Sequence, residues 1–594
     1  MKQKLTLVLL LCFVFGLSHL SAQQTVLASG NITSEDDGEP LIGAAIIVKG
    51  TTIGTTTGID GNFSLNVPQN ATLEISYVGM ITQEVAAGQG LRIVMKSDTQ
   101  NLEEVIVVAY GTAKKSSFTG SATSVGAQQL EKRALSNVMS VLEGNVAGLQ
   151  VTSGMGAPGS EPSFRIRGFS SINSNSSPLI VLDGAIFDGT FTDINPHDIE
   201  SITVLKDAAS TALYGSSAGN GVIMVTTKSA KLTAGNHQVD VSVSQGFSRR
   251  GIPDYDRLDV YQYYPAQWEM LKNVYKFNGK QDDATAAANA AKNIFNQLKY
   301  NPFRNIPNDQ IVDVNGILNP AATDLLWADD DWASQAYRTG HTQDYNVSFS
   351  SKTEKSDSYA SVNYRNEKGF VVMTGLERFA GRVNYNIYPV KWFKAGVSLS
   401  ATRTDITRNP SDDTGSSSSY NNLIRMTRVM PPIYPVHEHD LTTGEYILEG
   451  DEKKWELSSN RLADPGRHGL AEATLNQWAR KRDQMTGRAY FDFNIYDGLK
   501  ITFSGNLETR NLRNFTYENK LVGDGAPMGR MSINRYGYTI HQFNEMISYV
   551  KSFGDHSVDI LAGHENYSYN YDYLAGSKQV EIASGLYEFG NFVT

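Results

Sequence analysis

Past Gly235 the chain is written in runs of strict alternation, which restricts its fold more than any other feature. In FAGRVNYNIY, Arg382, Asn384 and Asn386 fall on one side of an extended strand while Val383, Tyr385 and Ile387 fall on the other, because successive side chains point to opposite faces. WFKAGVSLSA repeats the rule, with Phe393, Ala395, Val397 and Leu399 opposed to Lys394, Gly396, Ser398 and Ser400. RAYFDFNIYDGLKITFSGNLE reads as a hairpin in which Ala489, Phe491, Phe493 and Ile495 share a face, Asp497-Gly498 turns the chain, and Leu499, Ile501 and Phe503 share a face on the return. One apolar and one small polar face, aromatic residues near run ends, and short turns alternating with long loops (251–340 and 404–483) are the pattern of a transmembrane β-barrel. A helix is expected near Ala284–Leu298 in the first long loop.

The N-terminus has a separate role. Lys2 and Lys4 precede a nearly unbroken apolar segment from Leu5 to Leu17, too short to span a bilayer, and Leu20-Ser21-Ala22 offers a cleavage point, so residues 1–22 read as a secretory signal peptide. The only cysteine, Cys12, lies inside that segment, and disulfides are not expected in the exported chain. No later stretch approaches 18 consecutive apolar residues, which disfavours a helical membrane protein. A formal net charge of −10 without a basic run makes nucleic acid a poor partner.

Residues 23–98 alternate short β-rich runs with turns: Ala44–Val48, the Thr-rich segment 51–57, the Asp60-Gly61 turn, Phe63–Val67, Leu73–Tyr77 and Leu91–Met95, at spacings suited to a small sandwich. A linker, 99–117, encloses NLEEVIVVAYG, whose β-branched run has high strand propensity. Residues 118–230 read as a mixed α/β unit: LSNVMSVLEGNVAGLQV as helix then strand, PLIVLDGAIFDG as strand and turn, Asn195-Pro196 as a turn, Ile199–Leu205 as a strand, Asp207–Leu213 as a short helix and Gly221–Thr227 as a strand. SSAGNG leads into a strand and no Gly-Lys-Ser/Thr follows it, whereas a phosphate-cradling loop should open a helix, so nucleotide binding is disfavoured.

The phrase PLIGAAIIVKGTTIGTTTGIDGNFSL followed by LEISYVGM resembles the carboxypeptidase-regulatory-like sandwich domain, an accessory module without peptidase chemistry. With EEVIVVAYG, FRIRGFSSI, PLIVLDGAI, LKDAASTALYGSSAGNGVIMVTTK and YRTGHTQDYNVSFSS in this order, the whole chain resembles the SusC-type (RagA-type) family of TonB-dependent outer-membrane transporters. The fold class implied is mainly β: the sandwich, an α/β plug, and a partial antiparallel transmembrane barrel over 235–594.

The resemblance implies active uptake of a nutrient oligomer, glycan or peptide, across the outer membrane of a Gram-negative bacterium. The implied partners are a TonB-like energy transducer, a SusD-like lid lipoprotein and outer-membrane lipid, with the first domain in the periplasm. It puts the TonB box at Glu104, Val105, Ile106, Val107, Val108, Ala109, Tyr110 and Gly111. An extended β-branched run between polar linkers also suits capture as an added strand; the competing reading makes it the last strand of the sandwich or the first of the plug. Arg165, Arg167, Asp183, Asp198, Glu200, Lys206 and Asp207 are candidates for polar contacts between plug and wall.

No catalytic residue, metal site or cofactor is assigned, and no enzyme is expected. His437, Glu438 and His439 in VHEHD and the carboxylates of ADDDW at 328–332 lack ligand spacing and read as solvated loop charge. Loop aromatics (Tyr261, Tyr263, Tyr264, Trp268, Trp327, Trp332) read as loop packing before sugar stacking. A signal-transducing receptor should carry a small α/β domain where this chain reads all-β, and a surface-binding sandwich protein would leave the plug phrases unexplained. Nine or ten strands are countable past Gly235 against the roughly 22 of large plugged barrels, so the chain is expected to be the N-terminal portion of a longer transporter and inactive alone.

Overall fold

The computed structural model describes residues 25–594 except 36–37, 52, 78–79, 97–104, 109–110, 115–120, 131–137, 153–155, 170–175, 208–210, 254, 409–421 and 555. The signal-peptide assignment and Glu104, Ala109 and Tyr110 therefore lie outside the described residues, as do 208–210 of the helix expected at Asp207–Leu213. The chain divides into two compact units, the first holding the residues up to Ile106 with Ala113–Phe118 and the second Val107–Thr112 with Thr119–Thr594.

The first unit is a two-sheet sandwich. β1 (Thr25–Ser34), β4 (Asn62–Pro68) and β7 (Leu91–Met95) make one sheet; β2 (Ala45–Val48), β3 (Gly54–Thr56), β5 (Thr72–Ser76) and β6 (Gln83–Ala86) make the other. Ile32, Ile46, Phe63, Leu73, Ile75 and Met95 close the core between them. β1 pairs antiparallel with β4 but parallel with β7, so the first and last strands lie side by side. At the Asp60-Gly61 turn Gly61 has φ +70°, and a Cβ there would come within 2.6 Å of the Ile32 carbonyl oxygen, a position only glycine fills without strain.

β8 (Val105–Val108) and β9 (Gly111–Lys114) form a two-stranded sheet of their own. Among the described residues the β-branched run pairs with β9.

The plug is a five-stranded sheet in the order β10-β15-β16-β13-β14, with β10 (Ala122–Gly126), β13 (Leu179–Leu182), β14 (Ala185–Ile186), β15 (Ile199–Leu205) and β16 (Val222–Thr227). A second pair, β11 (Leu149–Thr152) and β12 (Ser163–Ile166), packs with it around Leu142, Ile202, Val204 and Ile223. The expected turn after Ile194 is a 3-10 turn, Pro196–Asp198, with the Asn195 side chain accepting from His197 N at 3.2 Å. Thr211 N donates to the Asp207 carbonyl at 3.2 Å, a helical turn where a short helix was expected, and 3-10 turns continue from Ala212 to Ala218 with a break at Gly215.

Among the described residues nine antiparallel strands make the wall. They are β17 (His237–Ser248), β18 (Gly340–Lys352), β19 (Ser356–Lys368), β20 (Gly375–Val390), β21 (Phe393–Thr407) and, beyond a small hairpin of β22 (Leu448–Glu449) and β23 (Glu452–Lys453), β24 (Gln477–Tyr496), β25 (Leu499–Glu518), β26 (Arg530–Phe553) and β27 (His556–Gln579). Each pairs with the next in chain order, leaving β17 and β27 at the two ends of the sheet. β24 and β25 have 20 residues and β26 and β27 have 24, about twice the 9–11 a membrane-spanning strand needs.

The two faces of this sheet differ sharply. Val347, Phe379, Val383, Leu399, Met485, Leu507 and Phe543 are exposed on the outer face, Leu399 at 52%. Asp344, Asn363, Arg378, Arg382, Thr404, Arg482, Gln484, Glu508 and Arg510 are buried on the inner face. This polarity is inverted relative to a water-soluble sheet and matches a wall with lipid outside and polar matter within. Among the described residues no helix is long and apolar enough to cross a membrane.

The connections β17–β18 and β21–β24 fold against each other around a shared core that includes Tyr264, Ile294, Phe303, Trp332, Met426 and Tyr434. The helix expected near Ala284–Leu298 spans Asp283–Leu298, with Asp282 capping Ala284 N and Thr285 N at 3.1 Å each. Trp332 Nε1 donates to the Tyr434 carbonyl (2.9 Å) and Trp327 Nε1 to that of Ile433 (3.2 Å), so Tyr264, Trp327 and Trp332 hold the loops together from inside.

Candidate functional site: the seam between plug and wall

The segment between β13 and β15 carries the plug's contact surface. Asp183 and Gly184 both have positive φ, turning β13 back into β14, and the chain then runs through the 3-10 turns Phe191–Asp193 and Pro196–Asp198 before entering β15. Because these turns leave backbone groups and short acidic side chains pointing outward, the segment presents carboxylates and amides to whatever faces it.

What faces it is a set of arginines on the inner parity of the wall strands. Arg382 on β20 pairs with Asp183, whose Oδ1 also accepts from Thr227 N at 2.8 Å. Arg482 on β24 bridges Asp193 (2.8 Å) and Glu161 (3.1 Å) and also donates to the Thr190 hydroxyl. Arg510 on β25 pairs with Asp188 at 2.8 Å, and Asp188 N donates to Glu508 Oε2 at 3.2 Å. Arg378, fully buried, donates to the Thr192 carbonyl at 3.1 Å, and Arg408 to that of Gly159 at 2.9 Å.

Neutral contacts fill the intervals. Tyr359 Oη donates to Asp198 (2.9 Å), Asn195 Nδ2 to Asn346 (3.1 Å), Thr402 Oγ1 to the Asp193 carbonyl (2.9 Å), Asn384 Nδ2 to that of Lys228 (2.8 Å), and Ile186 N to Gln542 (2.9 Å). His197 Nε2 stands 3.5 Å from Asp344. Burial pushes the Asp188 carboxyl above its ordinary value, with Arg510 pulling the other way.

Of the residues expected to bridge plug and wall, Asp183 and Asp198 reach it. The others make contacts within the plug and its exit. Arg165 on β12 lies over the Phe169 ring at 4.2 Å. Arg167 is placed by its backbone, at φ +61° with its N–H on the Gly148 carbonyl. Asp207 accepts from Ser121 N, Lys206 Nζ donates to Thr123 at 2.9 Å, and Glu200 pairs with Lys231. Their positions follow from local turns and strand pairing, which a charge inventory does not see. Asp188, Asp193 and the wall arginines are the seam residues that inventory left out. Their signal was present as single arginines at positions 378, 382, 482 and 510, each on the non-lipid parity of a β-run.

A second buried cluster corrects the reading of His437, His439 and Asp330 as solvated charge, while Asp329 and Asp331 are exposed as expected. Asp330 is buried and accepts from Val436 N and His437 N (2.7 Å each), His437 Nδ1 (2.9 Å), His439 Nε2 (3.2 Å) and Gln335 Nε2 (2.6 Å). Burial alone would raise its carboxyl, but the hydrogen bonds, foremost from His437, outweigh that and hold it well below the ordinary carboxylate range. Both carboxylate oxygens are engaged, which makes the cluster a clasp between the two long loops; the described residues include no group of side chains suited to a metal.

Comparisons with known proteins agree with this architecture. The model of the TonB-dependent Receptor Plug Domain matches residues 114–222, and that of the CarboxypepD_reg-like domain matches residues 28–107, reaching into the valine-rich run. TonB-dependent receptor P3 of Formosa agariphila is 31% identical over 547 residues, 91% of this chain and 47% of that protein. TonB-dependent receptor SusC of Bacteroides thetaiotaomicron is 29% identical over 582 residues, 94% of this chain and 52% of that one. The chain thus spans about half the length of the curated relatives it matches. The solved RagAB peptide transporter has the same fold, with a TM-score of 0.60 at 22% identity, covering 80% of this chain and 50% of that chain. With sandwich, plug and wall in this order, the chain is similar along nearly its whole length to TonB-dependent receptors, SusC among them, and carries their plug domain.

Proposed function

We propose that the chain works as a plugged wall in the outer membrane of a Gram-negative bacterium, importing an oligomeric nutrient, glycan or peptide, under a SusD-like lid. A TonB-like transducer supplies the energy by grasping residues 104–111. The observation that carries this reading is the seam. A stopper that must shift inside its barrel cannot be held by apolar contact, because each large apolar side chain drawn into water costs about 1.5–3 kcal/mol. Hydrogen bonds exchange protein partners for water at a net of about 0.5–1.5 kcal/mol each. A seam of arginines, carboxylates and amides therefore holds the plug at rest and lets water replace its contacts under load.

The edges of the β8–β9 sheet suit the grasping step, since an unpaired strand edge is a template for an added strand. Deleting residues 103–111 in the native strain is expected to abolish uptake while cell-surface binding of the nutrient persists. Uptake that survives the deletion removes the energy-coupling assignment.

A further inference from the structure

On the outer face of the wall, toward the end that bears the long loops, the strand register lines up three cations. Lys481 on β24 is directly opposite Arg513 on β25, and Arg513 is directly opposite Arg535 on β26. Like charges directly opposite on neighbouring strands, about 5 Å apart, are destabilising. Lys481 has a long contact to Asp405 at 3.7 Å. Among the described residues Arg513 and Arg535 have no carboxylate partner, and Arg513 Nε is buried without a hydrogen bond while its guanidinium lies over the Phe515 ring at 5.6 Å. The row borders a hollow of about 620 Å³ whose lining carries four cations, Arg403 among them, against Asp483 and Asp572. Gly537 in the hollow leaves the space of a side chain beside Asp572.

The depth of the row identifies what would neutralise it. On β24 the outer-parity residues from Met485 to Phe493 are apolar or glycine, which is the run a membrane-spanning strand requires. Lys481 lies four residues past Met485, about 13 Å along the strand and about 9 Å along the membrane normal at a tilt near 45°. That is the depth of headgroups. Above the row, Phe515 packs against Tyr587 with ring centroids 6.2 Å apart, so the hollow is bounded by aromatic matter on one side and the apolar band on the other.

We infer that the row Lys481–Arg513–Arg535 is a binding site for the phosphate groups of a phosphorylated lipid headgroup in the outer leaflet. This rests on the outer-membrane reading above. Guanidinium groups suit phosphate because their planar forks donate two parallel hydrogen bonds, and one phosphate spanning two strands would relieve the repulsion between Arg513 and Arg535.

The test is native mass spectrometry of the full chain, extracted in detergent and offered lipid A in diphosphorylated and phosphate-free forms. The parent is expected to retain the diphosphorylated form selectively. Lys481→Gln/Arg513→Gln/Arg535→Gln should weaken that binding at least about tenfold, Arg513→Gln alone should weaken it by less, and Lys368→Gln, an exposed cation on the same rim opposite His341 and Gly375, should leave it unchanged. Retention of both forms alike, or full retention by the triple variant and by Arg513→Gln, overturns the inference and leaves the membrane reading standing. Recovery of the parent from the soluble fraction without detergent overturns the membrane reading itself.

Discussion

Arg482 and Asp193 are 3% and 5% exposed and lie 2.8 Å apart across the seam. Taking one member of such a pair away strands the other charge in a dry place, which costs about 3–5 kcal/mol, whereas replacing both with apolar groups is often near neutral. Arg482→Met is therefore expected to loosen the plug more than Arg482→Met/Asp193→Leu does. The measurement is hydrogen exchange of the β13–β14 amides, with a coupling between the two sites of about 0.5–3 kcal/mol; strictly additive effects would take the pair out of the seam. At this scale the sequence is legible where parity decides. The alternation in FAGRVNYNIY sorts Arg382 and Asn384 from Val383 and Tyr385, and the structure has the first two on the plug and the second two exposed. It is not legible where partners meet across about 300 residues, as Asp193 meets Arg482, because nothing local in DGTFTDINPHDIE says which of its carboxylates faces the wall.

Among the elements, the paired loops carry a pH response. His468 is fully buried; its Nδ1 accepts from Ala471 N at 3.1 Å and its Nε2 donates to the Val436 carbonyl at 2.9 Å, an arrangement only the neutral ring supports. Burial, reinforced by Arg461, drives its pKa down to about 3 from 6.5. Below pH about 6.5 the unfolded loops take up a proton that the folded ones refuse, so loop stability is complete above that value and declines as the pH falls toward about 3. Limited proteolysis of the loops at graded pH should report this decline, and His468→Gln should flatten it; a parent protein equally resistant throughout that range would refute the assignment. Asp330, held below the ordinary carboxylate range, adds to the loss only at the acid end. The alternating wall strands and the helix at Asp283–Leu298 were readable from periodicity and capping. β1, TVLASGNITS, lacks clean alternation and gains its strand from pairing with β4 and β7, and the loop core joins residues about 130 positions apart that no window of sequence brings together.

For the molecule as a whole, the inverted polarity of the wall makes a direct prediction. Leu399→Arg introduces a charge on the outer face, where burial in lipid costs about 2–4 kcal/mol near the midplane, and should lower the amount of assembled protein in outer-membrane fractions, as measured by immunoblot. Ser400→Ala, one residue along and on the inner parity, should not. Equal tolerance of both changes would argue against lipid contact at this face. The order of sandwich, plug and wall was legible because each carries a different periodicity; the extent of the wall was legible as a strand count, and among the described residues nine strands pair in sequence. The order of the plug sheet has a mechanical consequence. β10 is an edge strand, the first of that sheet in the chain, and among the described residues its only strand partner is β15, whereas the acidic turns that grip the barrel follow the sheet's other edge-side strands. A tug arriving from upstream of Ala122 would act like the slider of a zip fastener, parting the outermost row of teeth before the rest feels any strain, and the parted row could close again along the same track when the tug ceased.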